Sequence, residues 1–203
     1  QVGHTGGMVD EFSSFDRMPA PNFAEEEAAA LVRAAVFAQR VARSDISIEI
    51  VEPLPELRVV CDGRILSQAL GNVLKNGGEA ISSRLMRDRG SDEVDPADGV
   101  VGHLRVEMSQ QESELVIEVE DDGIGLPEKD RDRLTEPYVT TREKGTGLGL
   151  AIVKRILEDH GGEFYLNDAV HLNGARAVLR LPRTQAGQAA TNENPSGSKL
   201  MRV

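Results

Sequence analysis

Four short clusters in this chain combine residue types and spacings that can do chemistry. Asn72-Val73-Leu74-Lys75-Asn76 sets two amides four residues apart, which on a helix is about one turn, so both project from one face. Amide oxygens so placed can complete the shell of a Mg²⁺ ion otherwise held by waters and substrate phosphates. The same string also reads as two solvated asparagines on a helix. Asp121-Asp122-Gly123-Ile124-Gly125 follows an apolar alternation. An acceptor-only carboxylate at a strand end suits an exocyclic amino group such as that of adenine, and the glycines let backbone approach a flat ring. A plain Asp-Gly turn has the same composition. The stretch Leu134 to Arg142 offers the hydroxyls of Thr140 and Thr141 and the charge of Arg142, with Lys144 just beyond, on a loop that Leu134 and Tyr138 could anchor. As a solvated loop it needs no further explanation. Gly145-Thr146-Gly147-Leu148-Gly149-Leu150 opens a helix, and N–H groups freed by glycines ahead of a helix N-terminus cradle phosphate. No Lys-Ser/Thr follows, as a P-loop requires, and the glycine spacing is not that of a dinucleotide fold.

Composition limits what these clusters can serve. The 203 residues carry 34 acidic against 23 basic side chains, a formal net charge of −11, with 3% aromatics and no Trp. That balance argues against a nucleic-acid binder, which needs a basic face and stacking rings. An anionic ligand must find local help against the global field. The single Cys61 excludes an internal disulfide framework and a cysteine metal cage, and it suits a reducing compartment. No apolar run reaches transmembrane length, and no signal peptide is visible.

The elements that must position the clusters follow from hydropathy patterning. Val9, Phe12 and Phe15 recur at helical spacing before Pro19 and Pro21, predicting the end of a helix whose apolar face needs partners. A second helix is expected from about Glu25 to Arg43, with Glu25, Glu26 and Glu27 in its first turn, where the dipole favours negative charge. Ile46, Ile48 and Ile50, then Leu57, Val59 and Cys61, alternate as two strands around the Pro53/Pro55 turn. Asp62 is a candidate N-cap for a long helix to about Met86, with Leu66, Ala69, Leu70, Val73, Leu74, Gly77 and Ile81 on its buried face. Arg87 to Gly102 reads as an acidic loop. Leu104, Val106 and Met108, with Leu115, Ile117 and Val119, predict a hairpin. The irregular stretch Asp121 to Gly147, holding one short helix near Asp130 to Leu134, is long enough to be functional. A helix from about Leu148 to His160 ends at Gly161-Gly162, with His160 a candidate C-terminal cation. Phe164 and Leu166, then Ala177, Leu179 and Leu181, give two final strands, and Thr184 to Val203 reads as a disordered tail. This order predicts a two-layer α/β sandwich, a mixed, mostly antiparallel sheet with helices on one face.

Taken together and in this order, the four clusters resemble the ATP-binding catalytic domain of sensor histidine kinases, in the GHKL ATPase superfamily that includes DNA gyrase B and the mismatch-repair protein MutL. The resemblance spans about Pro21 to Pro182 and implies the Bergerat fold, with residues 20–183 as the catalytic domain. Glu11-Phe12-Ser13-Ser14-Phe15 with Arg17-Met18-Pro19 resembles the segment before this domain in nitrogen-regulation kinases of the NtrY type. It implies that residues 1–19 are the tail of the second helix of a dimerisation and phosphoacceptor bundle. By the resemblance ATP and Mg²⁺ are the cofactors. Asn76 is the Mg²⁺ ligand with Asn72 its partner one turn earlier and Lys75 beside them. Asp121 reads the adenine amino group, with Gly123 and Gly125 shaping the pocket. Thr141, Arg142 and Lys144 belong to the ATP lid, and Gly145, Thr146, Gly147, Leu148 and Gly149 contact phosphates. The implied partners are a histidine-bearing bundle and an NtrX-like response regulator. The implied setting is a cytoplasmic domain of a homodimeric parent anchored in the inner membrane.

The chain departs from that pattern in places. Gly77-Gly78 stand where alanines are usual, costing about 1 kcal/mol each in a helix interior and predicting a looser metal-holding turn. Leu134 and Tyr138 replace phenylalanines of the lid, and Ala175 lacks a hydroxyl that the family uses near the base. Asn72 stands where hydrolysing members carry a glutamate general base, so poor hydrolysis is expected. None of His4, His103, His160 and His171 lies in the acceptor pattern of a helical His followed by an acidic residue and a proline. The expected function is therefore transfer of the ATP γ-phosphate to a histidine outside this chain. A free-standing ATPase switch and a non-catalytic nucleotide sensor stay open as alternatives.

Overall fold

Strict alternation builds the sheet. In β4 (Gly102–Gln111) Leu104, Val106 and Met108 are buried while His103, Arg105 and Glu107 face the other way, the period of two that one covered face demands. The computed structural model describes residues 19–88, 99–139 and 147–184. Around β4 stand β2 (Ile46–Ile50) and β5 (Glu114–Asp121), then β7 (Ala175–Pro182) and β6 (Glu163–Asp168), in the order β2-β4-β5-β7-β6. β2 runs parallel to β4, with Ile48 opposite Leu104, and the other pairs are antiparallel.

The helices cover one side of this sheet. α1 (Ala28–Ala42) packs on α2 (Gly63–Asp88), α2 on β4 and β5, and α3 (Gly149–Asp159) on α2, β6 and β7. Every residue of the expected α2 stripe, from Leu66 through Ile81, is buried. Asp62 caps α2: its Oδ1 accepts the N–H groups of Arg64 and Ile65 at 3.1 Å each. α3 stops where glycine permits, with Gly161 at φ +70° and the N–H of Gly162 bonded to the Leu157 carbonyl at 2.7 Å.

Two expectations change. Glu25–Glu27 do not open a helix. They form β1 (Ala24–Glu27), antiparallel to β3 (Arg58–Cys61), with Glu26 opposite Val59. Helix-dipole stabilisation of exposed glutamates is worth only about 0.3–1 kcal/mol, and the ladder that β1 makes with β3 outweighs it. α1 starts immediately after, at Ala28, whose N–H bonds the Leu57 carbonyl at 2.9 Å. The two strands flanking the Pro turn therefore part company, β2 into the large sheet and β3 into this ribbon. The second change concerns Gly77 and Gly78. A Cβ on Gly77 would lie 2.7 Å from a Leu104 methyl, and one on Gly78 3.2 Å from Ile46. The glycines let α2 settle against β4 and β2, which is close packing and not looseness.

The predicted hairpin, the short helix, now a 3₁₀ turn at Arg131–Thr135, and the last two strands are all present. Of the acidic loop expected over Arg87 to Gly102, Arg87 and Asp88 instead close α2 and Gly102 opens β4; residues 89–98, the expected helix end before Met18 and the tail from residue 185 lie outside the described residues.

Candidate functional site

The cap at Asp62 sets the phase of α2, and that phase turns Asn72 and Asn76 towards the start of α3. Asn72 Nδ2 donates to the Gly149 carbonyl at 3.5 Å, the long limit of a hydrogen bond. A Cβ on Gly149 would sit 3.3 Å from Asn76 Nδ2. The first and fourth clusters, more than seventy residues apart in sequence, thus meet at one helix N-terminus.

Asp121 ends β5 beside them, buried on the helix side of the sheet. Its Oδ1 accepts the N–H groups of Gly123 at 2.8 Å and Ala175 at 3.2 Å, and its carbonyl accepts that of Gly174 at 3.0 Å. Only glycine fits at 174, because a Cβ there would fall 2.2 Å from Asp121 Oδ1. Ala175, expected to weaken the site by lacking a hydroxyl, contributes its backbone instead.

Between these groups opens a cavity of about 310 Å³. Val73, Asn76, Gly77, Ala80 and Ser83 of α2 form one wall, and Val119, Asp121, Leu166, Ala175 and Ala177 of the sheet form another. Ile124, Gly125, Leu126 and Pro127 with Leu134 and Leu150 complete it. The walls are aliphatic and the polar groups few and convergent, the usual make-up of a small-molecule site. The loop carrying Pro127 is held from outside: Arg131 Nε donates to the Pro127 carbonyl at 2.7 Å and Nη1 pairs with Asp168 at 2.8 Å.

Of the lid, the structure describes the two ends. The Tyr138 N–H bonds the Gly147 carbonyl at 3.0 Å, and Gly147 takes φ +68° with no room for a Cβ beside Tyr138. Tyr138 itself is exposed, and Leu148, the residue before α3, is buried. Thr140, Thr141, Arg142, Lys144, Gly145 and Thr146 lie outside the described residues. Lys75 is exposed, 4.0 Å from Glu79, and does not line the cavity.

Other titratable groups are structural. Asp122 accepts the His103 N–H at 2.9 Å and lies 3.5 Å from Arg84. His160 is not a solvated cation at a helix end. It is fully buried, Nδ1 lies 2.7 Å from the Ile156 carbonyl, and Nε2 accepts the Asp62 N–H at 3.0 Å. That acceptor role places the ring proton on Nδ1. Phe23 packs edge-on against the ring at 5.2 Å. Burial, helped by the charges of Glu26 and Asp62, pushes the Cys61 thiol up to about 12, so it is no nucleophile at neutral pH.

A sequence profile of the histidine kinase-, DNA gyrase B-, and HSP90-like ATPase family matches residues 61–185. The chain belongs to this family. Within it, the chain is 44% identical over 94% of its length to nitrogen regulation protein NtrY of Azorhizobium caulinodans, of which the match covers 24%. The chain spans about a quarter of the curated NtrY-type relatives it matches. Among solved structures, the mycobacterial sensor histidine kinase MprB superposes with a TM-score of 0.63 at 24% identity, covering 79% of this chain and 97% of that one. Histidine kinase ThkA in complex with response regulator TrrA gives 0.65 at 22% identity, covering 88% and 47%. These two show the shared fold. The curated relatives it matches also include proteins described as putative sensor histidine kinases NtrY-like, from Rickettsia felis among others, at 34% identity over 79% of this chain.

Proposed function

We propose that this domain binds Mg²⁺·ATP in the cavity between α2, β5 and α3, and presents the γ-phosphate to a histidine on a helical bundle elsewhere in the parent protein. The observation that supports this most is the convergence of Asn76, Asp121 and the start of α3 on one aliphatic cavity. Asp121 receives the exocyclic amino group of adenine, and the aliphatic walls take the ring faces, which a chain this poor in aromatics requires. Phosphate contact is assigned to Gly147, Leu148 and Gly149 at the start of α3 and, from the sequence, to Gly145 and Thr146, with Thr141, Arg142 and Lys144 assigned to the lid for their hydroxyl and charge.

The residues present fit Mg²⁺ as an ion that arrives with the nucleotide. Among the described residues no three His, Cys, Asp or Glu side chains gather to hold a metal. Asn76 supplies an amide oxygen, and phosphates and water supply the remaining ligands. Bound Mg²⁺ offsets phosphate charge during transfer. Asn72 carries no basic lone pair, so water is not activated and the phosphoryl group is kept for another nucleophile. The domain's contribution is then position and electrostatics. The parent is proposed to be a membrane-anchored homodimer whose phosphohistidine serves an NtrX-like response regulator.

The test is to mix the chain with γ-labelled ATP and a separately made acceptor bundle of an NtrY-type kinase. Label is expected on the bundle histidine, only with Mg²⁺ present, and with little phosphate released to solution. Nucleotide binding without label on the bundle, or steady phosphate release unaffected by Asn72→Ala, overturns the transfer reading.

A further inference from the structure

Glu120 and Asp121 are consecutive on β5, and the period of two sends them to opposite faces of the sheet. Asp121 faces the cavity. Glu120 faces the side that carries the Arg105–Glu107, Arg176–Glu118 and Arg180–Glu114 pairs, yet it is only 2% exposed. A carboxylate so far out of water needs partners, and the β6–β7 connection provides them. The N–H of Val170 donates to Oε1 at 3.1 Å, and those of His171 and Leu172 donate to Oε2 at 2.9 and 3.2 Å. His171 Nδ1 lies 3.3 Å from Oε1. Burial opposes the ionised form of Glu120, but these donors outweigh it and hold its carboxyl below the usual range.

The same short connection is fastened at its other end by Asp121. Gly174 folds back, its carbonyl accepting the Ala169 N–H at 3.1 Å, and Gly174 and Ala175 then donate to the Asp121 carbonyl and Oδ1. One connection is therefore clamped by two adjacent residues, from one face at residues 170–172 by the Glu120 carboxylate and from the other by the Asp121 carbonyl at Gly174 and the Asp121 carboxylate at Ala175. Glu120 itself does not line the cavity. Its reach into the cavity runs through the connection to the Ala175 N–H, which together with the Gly123 N–H holds Asp121 Oδ1 and so orients its carboxylate.

We propose that Glu120 is a positioning residue for base recognition: by anchoring the β6–β7 connection it orients Asp121 for an exocyclic amino group and so sets the preference for adenine over guanine nucleotides. This rests on the adenine-nucleotide function given above. Glutamine at this position keeps the shape but offers one acceptor oxygen and turns an NH₂ towards backbone N–H groups, so the connection loosens at 170–172 and the Ala175 donor drifts.

The experiment measures ATP and GTP affinity of the 203-residue chain by calorimetry with Mg²⁺, for the wild type and for Glu120→Gln, with a thermal melt of each. ATP affinity is expected to fall about tenfold, the equivalent of one weakened charge-assisted hydrogen bond, while GTP affinity changes little, so the ATP-to-GTP ratio collapses. A lower melting temperature with the ratio unchanged would overturn the proposal, since a merely structural residue weakens both nucleotides alike. Should Glu120→Gln fail to fold, Glu120→Asp keeps the charge and withdraws the oxygens by one methylene, and the same ratio decides. Wild type without ATP affinity overturns the adenine-nucleotide function, and this proposal with it.

Discussion

Asp62 and Asp121 look alike by local measures and do different work. They are 5% and 7% exposed, each follows a strand residue, and each takes backbone N–H groups on its carboxylate. Around Asp62 the space is filled. Asn22 donates to Oδ2 at 2.9 Å, α2 starts on Oδ1, and the Asp62 N–H ends on the His160 ring, which Phe23 covers. Around Asp121 the same kind of anchoring borders a cavity. Hydrogen bonds to the chain's own backbone hold a carboxylate in place; the open volume beside it gives it something to recognise.

The base of the molecule should therefore fail as structure and the mouth as recognition. His160→Ala is expected to have the largest effect. It removes a buried ring from between α2, α3 and Phe23 and leaves the Asp62 N–H without its acceptor, a loss of about 3–4 kcal/mol. Urea unfolding reads this, and the variant at temperatures where it is folded should bind ATP nearly as the wild type does. A large affinity loss in folded His160→Ala would break the division between base and mouth.

Asp121→Asn comes next and should invert the pattern. The amide oxygen still accepts from Gly123 and Ala175, so the fold tolerates the change. The other atom becomes a donor, which meets the donor amino group of adenine. ATP affinity is expected to drop roughly 30- to 150-fold, about 2–3 kcal/mol, with the unfolding midpoint shifted little. Equal affinity in the variant and wild type would remove Asp121 from base recognition.

How much of this comparison the sequence reveals depends on contact range. The alternation in β4, β5 and β7 and the α2 stripe are local signals, and the structure follows them. So do Asn76, Asp121 and Gly125, which sit in short motifs and line the cavity. Glu25–Glu27 resemble a helix start because the ladder that makes them a strand is supplied by Arg58–Cys61. Gly174 and Glu120 carry no local signature, since their partners are about fifty residues away. The role of His160 is the plainest case: at a helix end a histidine reads as a cation, and only the Asp62 N–H, 98 residues distant, makes it an acceptor. The lid residues Arg142 and Lys144 rest on the sequence alone.

The smallest effect tests Asp62 through pH. The carboxyl of Asp62 is held below its ordinary value of 3.8: burial pulls the other way, and the N–H groups of Asn22, Ile65 and Arg64 with the Arg64 charge prevail. A folded-state value below the unfolded one means that the unfolded chain takes up the proton first, so this stabilisation is complete above about pH 4 and is lost as pH falls through the folded value. Asp62→Asn keeps an oxygen for Arg64 and Ile65 but turns NH₂ on the Asn22 N–H. It should cost about 1 kcal/mol at pH 7, and less as acid removes the advantage of the wild type. Stability curves of the two proteins are expected to converge below pH 4, while their ATP affinities at pH 7 stay the same. Curves that stay parallel into acid would mean that the charge of Asp62 does no more than its shape, and the two aspartates would then differ in chemistry as well as in what lies beside them.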